Sequence, residues 1–176
     1  MLHGRHVLKA VVVTCLGFGA WASVALALTI TGTPGDDRIR GSRGDDIING
    51  LGGNDRVWAF DGNDVVTLGS GNDRVLAGPG NDTVTADFGN DRVFGGSGDD
   101  MLDMGPGDDL ALGGAGNDVI KGFQGNDRLL GGPGDDTIHA KRGGRDRINC
   151  GPGKDVVLAN RKTDRIAKNC EKVKFG

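Results

Sequence analysis

GGSGDDMLD at 95–103, MGPGDDLAL at 104–112, GGAGNDVIK at 113–121, GFQGNDRLL at 122–130 and GGPGDDTIH at 131–139 follow one another without a gap. Each is nine residues long and holds Gly-(Asn/Asp)-Asp at its centre. Working outward, the final Asp of that triplet falls at 37, 46, 55, 64, 73, 82, 91, 100, 109, 118, 127 and 136, always nine apart. After a one-residue insertion near Gly143 the series resumes at Asp146, Asp155 and Asp164, which makes fifteen repeats with one slip. Two residues beyond each Asp stands an apolar side chain, from Ile39, Ile48 and Val57 through to Ile148, Val157 and Ile166, and only Ala111 among them is small. All five prolines, at 34, 79, 106, 133 and 152, lie three residues before a repeat Asp, where a fixed φ suits a turn and no N–H is needed.

The composition has the same two excesses as the register. Of 176 residues, 34 are Gly, 23 are Asp and one is Glu. Interior Gly costs about 1 kcal/mol of helix propensity relative to Ala and Asp is also a poor helix former, so long amphipathic helices are excluded. Collagen is excluded too, since the chain has five Pro and no three-residue glycine period. The glycine serves turns with φ > 0 or close backbone approach to a ligand.

Alternate repeats differ. The residue after Asp is Arg38, Arg56, Arg74, Arg92, Leu110, Arg128, Arg147 and Arg165 in the odd repeats. In the even repeats it is Ile47, Val65, Thr83, Met101, Val119, Thr137 and Val156, never charged. The structural turn is therefore 18 residues, and two different sheets are specified. Because strand side chains alternate faces, the odd sheet pairs its Arg column with a second outward column: Arg40, Trp58, Leu76, Phe94, Leu112, Leu130, Asn149 and Ala167.

GGSGDDMLD, GGAGNDVIK and GGPGDDTIH match G-G-x-G-x-D-x-U-x, and from about Thr31 to Ala167 the chain resembles the RTX (hemolysin-type) calcium-binding nonapeptide-repeat family. The resemblance implies an all-β fold, a right-handed parallel β-roll (β-solenoid) with two nonapeptides per turn and about seven turns. It also implies several Ca2+ ions between stacked turns, held by turn carbonyls and by Asp37, Asp46, Asp55, Asp64, Asp73, Asp82, Asp91, Asp100, Asp109, Asp118, Asp127, Asp136, Asp146 and Asp155. The chemistry agrees: calcium takes six to eight oxygens from carboxylates and carbonyls, and carboxylates stacked about 4.8 Å apart repel unless a cation lies between them. The repeats containing Ala59-Phe60-Asp61 and Ala86-Asp87-Phe88 lack the leading Gly pair, which weakens Asp64 and Asp91 as ligands. The repeat of Asp164 lacks the glycines and is left out of the ligand set.

Three regions follow. Residues 1–27 read as a signal peptide, with a basic start (His3, Arg5, His6, Lys9), an uncharged run and Ala25-Leu26-Ala27 as cleavage site. An uncleaved membrane anchor is the alternative, and either places the remainder outside the cell. Residues 28–139 are the regular repeats, with net charge −12, and 140–176 are degenerate repeats and a cap, with net charge +7. Cys150 and Cys170 lie about one turn apart and are expected to form a disulfide that staples this end.

These features predict a secreted, extracellular calcium-binding protein without catalysis, in a structural, adhesive or matrix role. No H-E-x-x-H or G-x-S-x-G occurs, and His3, His6 and His139 are isolated. The alternative is a calcium-dependent module that binds a cell surface, a polyanion or a second copy through the Arg column and the Trp58/Phe94 stripe; a hydrolase accessory ranks below it. No specific nucleic-acid partner is expected, and a membrane partner only if the N-terminal segment stays uncleaved.

Overall fold

The computed structural model describes residues 11–12, 26–141, 143–160 and 163–176. Its strands, mostly three residues long, alternate between two sheets as the 18-residue pattern requires. One sheet, the Arg sheet, contains in spatial order Arg38–Arg40, Arg56–Trp58, Arg74–Pro79, Arg92–Ser97, Leu110–Ala115, Arg128–Leu130, Arg147–Asn149 and Arg165–Ile166. The opposite sheet contains Val11–Val12, Thr29–Thr31, Ile47–Asn49, Val65–Thr67, Thr83–Thr85, Met101–Asp103, Val119–Lys121, Thr137–Ala140, Val156–Ala159 and Lys172–Phe175. Neighbouring strands are parallel and in register one turn apart, as in Val57↔Val75↔Val93 and Val66↔Val84↔Leu102. Val11–Val12, which pairs antiparallel with Thr29–Thr31, is the exception.

The result is a parallel β-solenoid of about 8 turns, consistent with a β-roll. The repeat register gives about seven turns, and a strand at each end brings the number to about 8. Thr29–Thr31 precedes the first repeat Asp, and Lys172–Phe175 follows the last, so neither falls inside the nine-residue register that was counted. The insertion near Gly143 leaves the ladder intact. Arg128 still pairs with Arg147 and Thr137 with Val156, so the extra residue is confined to the loop between strands.

The apolar residue two beyond each Asp points inward. From Ile39 to Val157 this column is buried, and only Ile166, at the last repeat, is half-buried. A second inward column stands at the first position of the repeat wherever Gly is replaced: Ala59, Leu68, Ala77, Ala86, Met104, Ala140, Cys150 and Ala159 are all buried. Cys150 bonds Cys170 across a Cα separation of 5.2 Å, and Lys172–Phe175 then lies along Val156–Ala159. The residues read as a signal peptide lie outside the described residues, apart from Val11–Val12, Leu26 and Ala27. Among the described residues no helix is long and apolar enough to cross a membrane.

Candidate metal centre

Each repeat Asp lies between a turn and the strand that follows, and its two carboxylate oxygens have different fates. Oδ1 accepts the backbone N–H of the Asp one turn earlier. Asp37 donates to Asp55 at 2.9 Å, Asp46 to Asp64 at 2.8 Å, Asp82 to Asp100 at 2.8 Å, and so on along both columns. Across the insertion the same bond spans 19 residues, from Asp127 to Asp146 and from Asp136 to Asp155. The last member of one column is not an Asp at all: the Asp155 N–H donates to Glu171 Oε2 at 2.8 Å. Glu171 was missed in the sequence because it stands 16 residues after Asp155; the trace it left was Val173, the apolar side chain two residues beyond.

Oδ2 is the reactive half. In Asp55, Asp64, Asp73, Asp82, Asp91, Asp100, Asp109, Asp118, Asp127, Asp136, Asp146 and Asp155 it is buried with no hydrogen-bond partner. These twelve residues are only 0–3 % exposed. Asp64 and Asp91 behave here like the rest despite their missing Gly pair. Asp37 and Asp46, also expected as ligands, differ. Thr33 donates its N–H (2.5 Å) and hydroxyl (2.9 Å) to Asp37 Oδ2, and the Ser42 N–H donates to Asp46 Oδ2 at 2.5 Å. The Asn160 N–H closes Asp164 in the same way at 2.6 Å. The two ends of the roll are thus closed by protein donors, and the stretch between them is not.

At Gly50, Gly95 and Gly131 the orphan oxygen lies close to a carbonyl oxygen of the next turn. A methyl placed on Gly50 would lie 2.5 Å from Asp55 Oδ2 and 2.7 Å from the Leu68 carbonyl oxygen, and one on Gly131 would meet Asp136 Oδ2 and lie 2.5 Å from the Cys150 carbonyl oxygen. Glycine at this position leaves a recess shared by a carboxylate and a carbonyl of the next turn. The following position is held at positive φ, as at Gly96 (129°), and Leu51, Phe60, Asp87 and Phe123 adopt that conformation without being glycine. These four turns keep their shape without glycine there, and each costs about 1–2 kcal/mol in backbone strain.

Burial pushes the inner carboxyls upward against the lowering effect of the N–H bonds they accept. Asp55, Asp64, Asp82 and Asp146 reach about 6, Asp91, Asp100, Asp127 and Asp136 about 7, and Asp109 about 8. Asp73, Asp118 and Asp155 move in the same direction. Glu171 moves downward, chiefly through the Asp155 N–H it accepts.

Outside the inner columns runs an Asn/Asp ladder on each edge, built from the residue before each repeat Asp. Asn72 N–H donates to Asn54 Oδ1 at 2.9 Å and Asn117 N–H to Asp99 Oδ1 at 2.7 Å. The order along one edge is Asp36, Asn54, Asn72, Asn90, Asp108, Asn126, and along the other Asp45, Asn63, Asn81, Asp99, Asn117, Asp135. No two carboxylates are stacked one turn apart in these outer ladders.

Buried acceptors that face one another without a donor suit a cation, and all of them here are hard oxygens, which favours Ca2+ over softer metals. Among the described residues no trio of His, Cys, Asp or Glu side chains converges on one point, so backbone carbonyls have to complete the coordination. Fold and site together define a parallel β-solenoid with buried, undonated carboxylate oxygens along its turns. The chain belongs to the RTX calcium-binding nonapeptide repeat family, whose model matches four segments, 31–66, 44–75, 67–102 and 103–138. No individual curated protein matches it significantly.

Proposed function

We propose that this chain is a secreted, non-catalytic calcium-binding β-roll whose ordered state is completed by the metal. The family supports calcium binding and a structural role. One observation carries the rest: twelve buried carboxylate oxygens have no hydrogen-bond donor in a fold that otherwise pairs its backbone turn by turn. The residues that fit the ion are those twelve aspartates, Asp55 to Asp155, with turn carbonyls such as that of Leu68 beside them. Bound calcium supplies positive charge and coordination to oxygens that the protein leaves unanswered. Asp37 and Asp46 are already closed by Thr33 and Ser42, so a metal at either must displace those donors.

The chain's own residues hold the rest of the arrangement. The Oδ1 bonds fix the spacing of successive carboxylates, the inward aliphatics fix their depth, and the disulfide and Glu171 fix the last turn. Export is supported by the signal-like N-terminal segment and by two cysteines that are oxidised to a disulfide. Calcium titration by isothermal calorimetry with parallel circular dichroism tests the reading. Saturable calcium uptake accompanied by a gain of β signal supports it, whereas a β signal indifferent to calcium refutes it.

A further inference from the structure

The outer face of the Arg sheet carries a feature that calcium binding does not use. Arg38, Arg56, Arg74 and Arg92 are directly paired, strand to strand, along four successive turns. All four are exposed, and among the described residues none has a carboxylate within ion-pair distance. Four cations one strand spacing apart, about 4.8 Å, repel one another. They line a groove of about 870 Å3 together with the exposed amides of Asn54, Asn72 and Asn90. Of the four carboxylates that line it, Asp55 and Asp73 are buried, Asp37 is closed by Thr33, and Asp36 is exposed at the Arg38 end, where it accepts the Asn54 N–H; from Arg56 to Arg92 the solvent-facing wall is mainly guanidinium and amide. On the far side Trp58, Leu76 and Phe94 stack in register and are half-buried, with the Arg40 guanidinium 5.5 Å from the Trp58 ring centre and the Arg74 guanidinium 5.3 Å from that of Phe94.

We propose that this groove binds a linear anionic polysaccharide. The occupant has to be extended and anionic at short regular intervals, because the cations recur once per turn. Guanidinium groups pair bidentately with carboxylate or sulfate, and amides with both donor and acceptor atoms suit sugar hydroxyls. Single-stranded nucleic acid would require open aromatic faces for base stacking, and the two rings here carry arginine. Duplex nucleic acid is read by elements that protrude into its grooves, whereas this surface is itself recessed. A flat lipid surface does not enter a groove. The inference goes beyond calcium binding and takes from it only the folded roll.

Fluorescence anisotropy with a labelled heparin oligosaccharide (sulfated) and a labelled oligogalacturonate (carboxylated) tests it, with oligothymidylate, anionic phosphatidylglycerol vesicles and an uncharged cello-oligosaccharide as comparators. The folded wild-type chain, verified by circular dichroism in each sample, binds at least one of the two anionic oligosaccharides in a salt-sensitive manner. The Arg56→Gln, Arg74→Gln, Arg92→Gln variant loses about tenfold or more in affinity, as expected when charge-assisted contacts are removed. Lys121→Gln with Lys141→Gln, one on the opposite sheet and one just beyond its strand Thr137–Ala140, binds like wild type. The proposal is overturned by any of three results: neither anionic oligosaccharide binds, the triple variant binds undiminished, or oligothymidylate or vesicles bind more tightly than both.

Discussion

Chelating calcium at about pH 7.5 leaves twelve buried Oδ2 atoms without any partner. A buried unsatisfied acceptor costs about 1–3 kcal/mol, so the twelve together cost about 12–36 kcal/mol. A domain of ordinary stability has about 5–15 kcal/mol in hand, so the roll is expected to unfold on chelation. Far-UV circular dichroism and Trp58 emission, with chelator and then with millimolar calcium, read this directly. A single substitution then tests the cause. In Asp100→Asn the side-chain Oδ1 still accepts the Asp82 N–H, while an amide donor replaces the orphan oxygen near the Gly113 carbonyl. The variant should be less stable than wild type in calcium and more stable in chelator, by about 1–3 kcal/mol in the latter condition. The reasoning fails if the chelated wild type keeps its β signal and cooperative melt at pH 7.5, or if Asp100→Asn destabilises equally in both conditions.

Three further outcomes are expected. In chelator the folded-state pKa values of the inner aspartates, about 6 to 8, stand above the ordinary carboxylate value, so the folded state binds more protons than the unfolded one from about pH 8 down to about pH 4. Stability of the metal-free chain therefore rises as pH falls through that window, and β signal should return on acidification when followed by circular dichroism. Cys150→Ala with Cys170→Ala opens a 20-residue loop and should lower stability by roughly 3 kcal/mol in calcium, measured by urea unfolding. Asn117→Asp stacks a carboxylate between Asp99 and Asp135 and removes the amide bond to Asp99; it should cost about 1–2 kcal/mol in calcium, much of it recovered at high salt in thermal melts.

The strands and their assignment to two sheets were legible because one inward aliphatic and one Arg or neutral residue recur at fixed offsets from Asp. The disulfide was legible too, since Cys150 and Cys170 lie near one turn apart. Less visible was the division of labour within each carboxylate. A sequence shows that Asp is required, not that Oδ1 secures the preceding turn while Oδ2 stays open. The second inward column escaped notice because Ala59, Leu68, Ala77 and Met104 occupy a position that the repeat otherwise gives to Gly. Nothing in the repeat pattern marks Thr33 and Ser42, whose donors satisfy Asp37 and Asp46. The Trp58 to Leu130 stripe was expected to be exposed, and it does face outward. Stacking neighbours and the arginines over Trp58 and Phe94 leave it half-buried.

The bond from each Asp N–H to the carboxylate one turn later gives the stack a grammar of its own. A turn is finished only by its successor, and the sequence ends that dependence by offering Glu171, placed by the neighbouring Cys170, in place of another Asp. Any interior turn can therefore be duplicated or deleted as an 18-residue unit without leaving an unanswered N–H, and the 19-residue steps show that a surplus residue is absorbed in a loop. The terminator cannot be lost so cheaply. Length is the free variable of this architecture, and the end held by Glu171 and the disulfide is its fixed one.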